Sequence, residues 1–368
     1  MMVMTTTTTM MTSLLHSFAY KGKLGHGDVQ IHRLVPTVVE SLQDADIVKM
    51  SSMSTYAIAV DGSGHVYVWG TGGSAGGSHS ARTDIQPQLL EALPPKAKVI
   101  DVSCGLGHAL FLLSTNKVYS WGNGGNGRLG LGDLYDRTEA CLISSLQHES
   151  IVSVRCGASH SVVLTQHGKV YSWGKNTQGQ CGHGTVEDAA RPALVSKLQD
   201  KTITCLAAGW EHSLALSSEG RIYSWGCGYK DSRRGVIPPV LGLGHNECRM
   251  SPESIASIDT IRIVHVVSGW DHCLALDDKG KVLSWGSGQN GKLGLGNEEN
   301  IAIPCYIPSL EDHMVVHLSA GCEHTAVVTE EGYMYSWGHG DGGRLGHGNN
   351  AQCFLPTRVD TLHVMHVR

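Results

Sequence analysis

The chain has 368 residues, 46 of them glycine and only 17% charged, with a formal net charge of −5. With no run of like charges and no basic tail, that balance excludes an electrostatic footprint for nucleic acid or a membrane surface. No stretch approaches the length of a membrane span. Many glycines and few charges suit short strands joined by tight turns.

The opening segment, residues 1–20, is rich in threonine and methionine and has no positive charge before Lys21. It therefore fails as a secretory signal and is a poor transit peptide. From residue 21 to 368 a single repeat domain is expected, because a fixed period overrides the two or three domains that length alone would suggest. The period begins in mid-repeat at Gly22-Lys23-Leu24-Gly25-His26-Gly27, and the same loop returns as GRLGLG at 127–132, GKLGLG at 291–296 and GRLGHG at 343–348.

Trp-Gly pairs follow at Trp69, Trp121, Trp173, Trp225, Trp285 and Trp337, spaced 52, 52, 52, 60 and 52 residues apart. Thirteen positions before the last five tryptophans stand His108, His160, His212, His272 and His324, each three residues after a glycine; Tyr56 takes the place of histidine in the first copy. Within a copy, runs such as VIDVSC, HALFLLS and KVYSWG at 99–122 read as short strands between turns, with a fourth segment before the next copy. Four antiparallel strands per copy make one blade of a β-propeller. The tryptophan is expected between neighbouring blades with its indole N–H bonded to backbone, and the histidine in a structural hydrogen bond within its blade. The repeat glycines are read as residues for positive-φ turns.

The combination G-x-x-H, G-x-V-Y-x-W-G, G-x-L-G-x-G and then proline resembles the repeats of the regulator of chromosome condensation family, from about Gly22 to the C-terminus. The resemblance implies a seven-bladed propeller. Here it predicts six recognisable blades and a degenerate or incomplete seventh, closed by residues 364–368 and the opening twenty, in a chain that reads as a piece of something longer.

Two places stand out as partner-binding candidates. Eight extra residues fall between Trp225 and Leu241, in a loop carrying Tyr229, Lys230, Asp231, Arg233 and Arg234. Insertions in blade loops are where repeat proteins carry function, and this one has a short similarity to the wedge with which the family's nucleotide-exchange member contacts a small GTPase. Separately, the variable pair inside G-x-x-H places Trp210, Glu211, Trp270, Asp271 and Glu323 in one sector. Aromatic anchors dominate interface energies, about 2 kcal/mol or more each. The sector is similar to the G-W-R-H-T repeats of the family's plant ultraviolet-B photoreceptor, but acids replace its arginines and cannot form cation–π pairs with indole. Homodimerisation of that type is therefore not expected, and a basic partner surface is.

No G-x-S-x-G, H-E-x-x-H or Walker loop occurs. The repeat histidines lie in separate blades, too far apart to share a metal. No catalytic residue, metal or cofactor is expected. The 11 cysteines, with no Cys-x-x-Cys, are read as reduced core residues of a cytoplasmic or nuclear protein. Two functions follow: a non-enzymatic protein-interaction platform or, alternatively, a guanine-nucleotide exchange factor for a Ran-like GTPase acting through residues 227–240.

Overall fold

The computed structural model describes residues 22–28, 32–71, 83–229 and 236–362. They form six four-stranded antiparallel sheets, each built from four consecutive strands paired in chain order. The sheets cover residues 47–89, 99–142, 151–194, 203–254, 263–306 and 315–358, here blades one to six. Blade four shows the pattern: Ile203–Ala208, His212–Ser217, Ile222–Gly226 and Arg249–Ser254. The first strand of each blade lines a central channel, which brings Met50, Cys104, Cys156, Cys205, Val266 and Leu318 around one axis. The second strands are buried from end to end, which explains why they read as almost unbroken apolar runs rather than alternating ones.

What holds one blade to the next is a repeated polar bracket around the tryptophan. Trp173 is fully buried, and its indole Nε1 donates to the Arg128 carbonyl of the preceding blade at 2.9 Å. Ser161 Oγ donates to the same carbonyl at 3.0 Å, while His108 Nε2 of the preceding blade stands 3.1 Å from Ser161 Oγ. Since the hydroxyl proton is committed to the carbonyl, His108 donates through Nε2–H. The bracket recurs as His160–Ser213–Gln180–Trp225 and as His272–Thr325–Lys292–Trp337. The tryptophan expectation holds. The histidine bonds, by contrast, run between blades rather than within one, because the hydroxyls of Ser161, Ser213 and Thr325, each next to a repeat histidine, face the preceding blade.

The repeat glycines divide into two kinds. Gly130 and Gly294 in the G-x-L-G-x-G loops sit at φ +72° and +75°, as turns of that type require. Gly157 in G-x-x-H is different. A Cβ there would stand 2.1 Å from the His160 ring and 2.6 Å from the Gly209 carbonyl, so glycine is needed for space between blades rather than for conformation.

The described residues complete six blades, which corrects the expected seven-bladed ring: no seventh sheet is present among them. Residues 1–20 and 364–368, from which such a sheet would be drawn, lie outside the described residues. Between blades six and one stand two short pieces. The loop at 22–28 takes the Trp69 indole on the Lys23 carbonyl at 2.7 Å, and Gly348 N–H donates to the Leu34 carbonyl at 2.8 Å. Both contacts repeat those by which a loop grips its neighbouring blade elsewhere, such as Gly132 N–H to the Ala190 carbonyl at 2.9 Å.

Candidate functional site

In every blade the turn joining the first two strands and the loop joining the last two emerge on the same face of the propeller. The turns there are tied into a ladder. Leu106 N–H donates to the Ala158 carbonyl at 2.9 Å, Ala158 N–H to the Trp210 carbonyl at 3.4 Å and Trp210 N–H to the Trp270 carbonyl at 3.1 Å. This ladder rims the channel mouth and sets equivalent side chains side by side. Trp210 and Trp270 therefore pack with ring centroids 4.2 Å apart at 48°.

The inserted loop joins them. Tyr229, 39% exposed, meets Trp210 edge to face with centroids 5.8 Å apart. Its approach is fixed two residues earlier, where Cys227 N–H donates to the Glu211 carbonyl at 2.8 Å. The two candidate surfaces of the sequence are thus one contiguous aromatic site. Lys230, Asp231, Arg233 and Arg234 lie outside the described residues. The loop is back in register at Val240, whose carbonyl accepts the Trp285 indole at 2.9 Å, so the eight extra residues fall wholly between Cys227 and Val240.

Each acid of the sector already stands beside a basic side chain of the fold. Lys175 Nζ lies 2.6 Å from Glu211, Lys292 Nζ lies 2.6 Å from Asp271, and His339 Nδ1 lies 3.2 Å from Glu323. Lys292 is 1% exposed, a buried cation that Asp271 neutralises. In blades two, five and six the residue two before the second glycine of the G-x-L-G-x-G loop is Arg128, Lys292 or Arg344. Blades three and four have Gln180 and Val240 there, and Glu211 turns instead to Lys175 of blade three. The pattern was readable in part, since Lys175 and His339 stand two residues after their tryptophans. What the one-dimensional pattern lacked was the direction of the side chains.

Cysteine use is also corrected. Cys227 and Cys248 form a disulfide across the base of the inserted loop, while the other nine cysteines form no disulfide. Burial pushes the thiols of Cys156, Cys181 and Cys273 well above the ordinary range, so they act as inert packing groups. His26, His183 and His347 in the G-x-G loops are half-buried; His183 and His347 bond Ser172 and Ser336 at 2.8 and 3.1 Å. Among the described residues no group of three or more metal-ligating side chains comes together.

Repeated four-stranded blades, locked by a Trp–Ser–His bracket and displaying aromatic side chains on one loop-bearing face, define a repeat β-propeller. The description "RCC1-like domain" matches residues 15–235, and the "Regulator of chromosome condensation (RCC1) repeat" matches 239–276, 279–328 and 331–368. The chain belongs to the RCC1 repeat family. It is 32% identical to the ultraviolet-B receptor UVR8 of Arabidopsis thaliana over 93% of this chain and 76% of that protein. It is 33% identical to the human E3 ubiquitin-protein ligase HERC2 over 83% of this chain, a span of only 6% of that ligase. Among solved structures, human WBSCR16 superposes with a TM-score of 0.79 at 23% identity, covering 93% of this chain and 92% of that one. Yeast RCC1 (Prp20), solved bound to Kap60, superposes with a TM-score of 0.78 at 20% identity, covering 93% and 83%.

Proposed function

We propose that the protein is a non-enzymatic interaction platform that holds a protein partner on its loop-bearing face, with Trp210, Trp270 and Tyr229 at the centre of the contact. The observation that carries this reading is the aromatic cluster itself. Trp210 packs on both Trp270 and Tyr229 at the surface, on a backbone ladder that is already ordered, so little conformational entropy is lost when a partner covers them. The paired acids around them would serve as a neutralised polar rim rather than as a charged lure.

The test is affinity capture with the full chain, comparing wild type with Trp210→Ala/Trp270→Ala. Partners held by wild type should be weakened at least about thirtyfold by the double change, the equivalent of about 2 kcal/mol. Partners retained at full strength by a folded double variant would sink the reading.

A second reading has one observation in its favour: the 227–240 insertion is rooted against the same cluster, where it would wedge into a small GTPase and loosen its nucleotide. Nucleotide release from a panel of small GTPases separates the two. Acceleration at catalytic concentrations of this protein, abolished by trimming the loop, would replace the platform with exchange.

A further inference from the structure

In three blades the loop between the third and fourth strands is shut by one hydrogen bond at a fixed place. Gly124 N–H donates to Asp136 at 2.9 Å, Asn176 N–H to Asp188 at 2.8 Å and Gly288 N–H to Asn300 at 3.1 Å. Each acceptor is the residue just before the fourth strand, and each donor stands three after the tryptophan. In blade four the residue just before the fourth strand is Cys248, and no side-chain oxygen is available there. Its sulfur is bonded to Cys227, the neighbour of the would-be donor Gly228. The non-covalent clasp of blades two, three and five is replaced by a covalent one in blade four, whose loop is eight residues longer and bears Tyr229.

We infer that the Cys227–Cys248 disulfide is a thiol-responsive clasp that holds the inserted loop against Trp210, so that its reduction releases Tyr229 and dismantles the aromatic site. This rests on the platform reading for its consequence, though not for its chemistry. Cys227 is 2% exposed and Cys248 is half-buried, so an incoming thiolate reaches Cys248 first. A dithiol reductant attacks Cys248 Sγ, forming a mixed disulfide and expelling Cys227 as the thiolate. The reductant's second thiol then displaces Cys248 and leaves the reductant as its own disulfide. Two electrons pass to the cystine, and the two protons of the dithiol end on Cys227 and Cys248. With the bond open, blade four has neither the cystine nor the carboxylate or amide acceptor that shuts its counterparts. The loop root is then held by the Gly226–Arg249 pairing of the last two strands and the Cys227 N–H to Glu211 carbonyl bond, and beyond it Tyr229 by its edge contact alone.

The experiment uses the full chain, equilibrated with oxidised glutathione or with dithiothreitol. Alkylation and peptide mapping follow Cys227 and Cys248; trypsin cleavage after Lys230, Arg233 and Arg234 follows loop opening; near-ultraviolet circular dichroism follows the Trp210, Trp270 and Tyr229 rings. The expected result is protection of both cysteines until reduction, then cleavage at least about tenfold faster and loss of part of the aromatic signal. Cys248→Ser should be cleaved fast in both buffers. Three results would each overturn the inference: both thiols alkylating in the oxidised chain, a linked chain whose cleavage and spectrum ignore reduction, or a Cys248→Ser protein that still responds to dithiothreitol. Comparing wild type in the two buffers needs no variant to fold. No readout uses a partner, so a working clasp on a chain whose Trp210→Ala/Trp270→Ala variant keeps its partners would separate failure of the platform from failure of the switch.

Discussion

Blades two and three and blades four and five share one backbone plan and use it differently. In the first pair the ladder turns carry Leu106-Gly107 and Ala158-Ser159, and their loops are shut by Asp136 and Asp188. In the second pair the same turns carry Trp210-Glu211 and Trp270-Asp271, and one of the two loops is long and closed by a disulfide. The lesson is a division of labour within each repeat. The bracket of tryptophan, hydroxyl and histidine makes the ring and varies little, Tyr56 replacing the histidine in blade one and Cys273 the hydroxyl in blade five, whereas the turn and loop above it can be re-equipped without disturbing the strands.

The most forceful way to break the comparison acts on what both regions share. Burial holds His160 and His212 down to about 3, and burial with nearby cationic or histidine neighbours holds His108 and His272 well below the ordinary histidine value. In each, Nε2–H is committed to a neighbour and Nδ1 has no protein acceptor, so the folded state excludes the second proton that the unfolded chain accepts. The folded values are depressed, so the stabilisation is intact above about pH 6.5 and is lost as pH falls from there toward 3. Each such histidine contributes a slope of about 1.4 kcal/mol per pH unit. Denaturant titrations at stepped pH should show both regions failing together; a protein equally stable at pH 7 and pH 4.5 would refute the bracket's role.

The next effect separates scaffold from site. Trp173→Ala empties a fully buried position and should cost about 3–5 kcal/mol of unfolding free energy. Trp210→Ala removes a half-buried ring whose main contacts are Trp270 and Tyr229, and should cost about 1 kcal/mol. Chemical denaturation of the two variants measures the difference, and equal losses would mean that the surface tryptophans are structural.

The smallest effect sharpens the reading of the acids. Lys292→Ala leaves Asp271 without its buried cation and should cost about 2 kcal/mol. Lys175→Ala opens a pair whose lysine is 31% exposed and should cost about 0.5 kcal/mol or less. Melting curves at low and high salt would distinguish them, because only the Lys175 pair is open to screening.

Repetition made the strands legible. Spacings of 52 residues between Trp-Gly pairs, the glycine three before each histidine, and the returning G-x-L-G-x-G loops all concern residues a few positions apart in one blade, where local geometry governs. Six blades, their strand boundaries and the burial of each tryptophan follow from that pattern, and so does the location of the insertion before Leu241. Beyond the seat of each tryptophan between blades, what could not be read was which distant side chains meet. Tyr229 against Trp210, Glu211 with Lys175, His108 with Ser161 and Cys227 with Cys248 join residues 19, 36, 53 and 21 positions apart. Glu211 with Lys175 and His108 with Ser161 cross from one blade to the next and depend on how closely the sheets approach around their axis, whereas Tyr229 against Trp210 and Cys227 with Cys248 lie within blade four and depend on how its turn and loop lean together. A linear period carries no record of either.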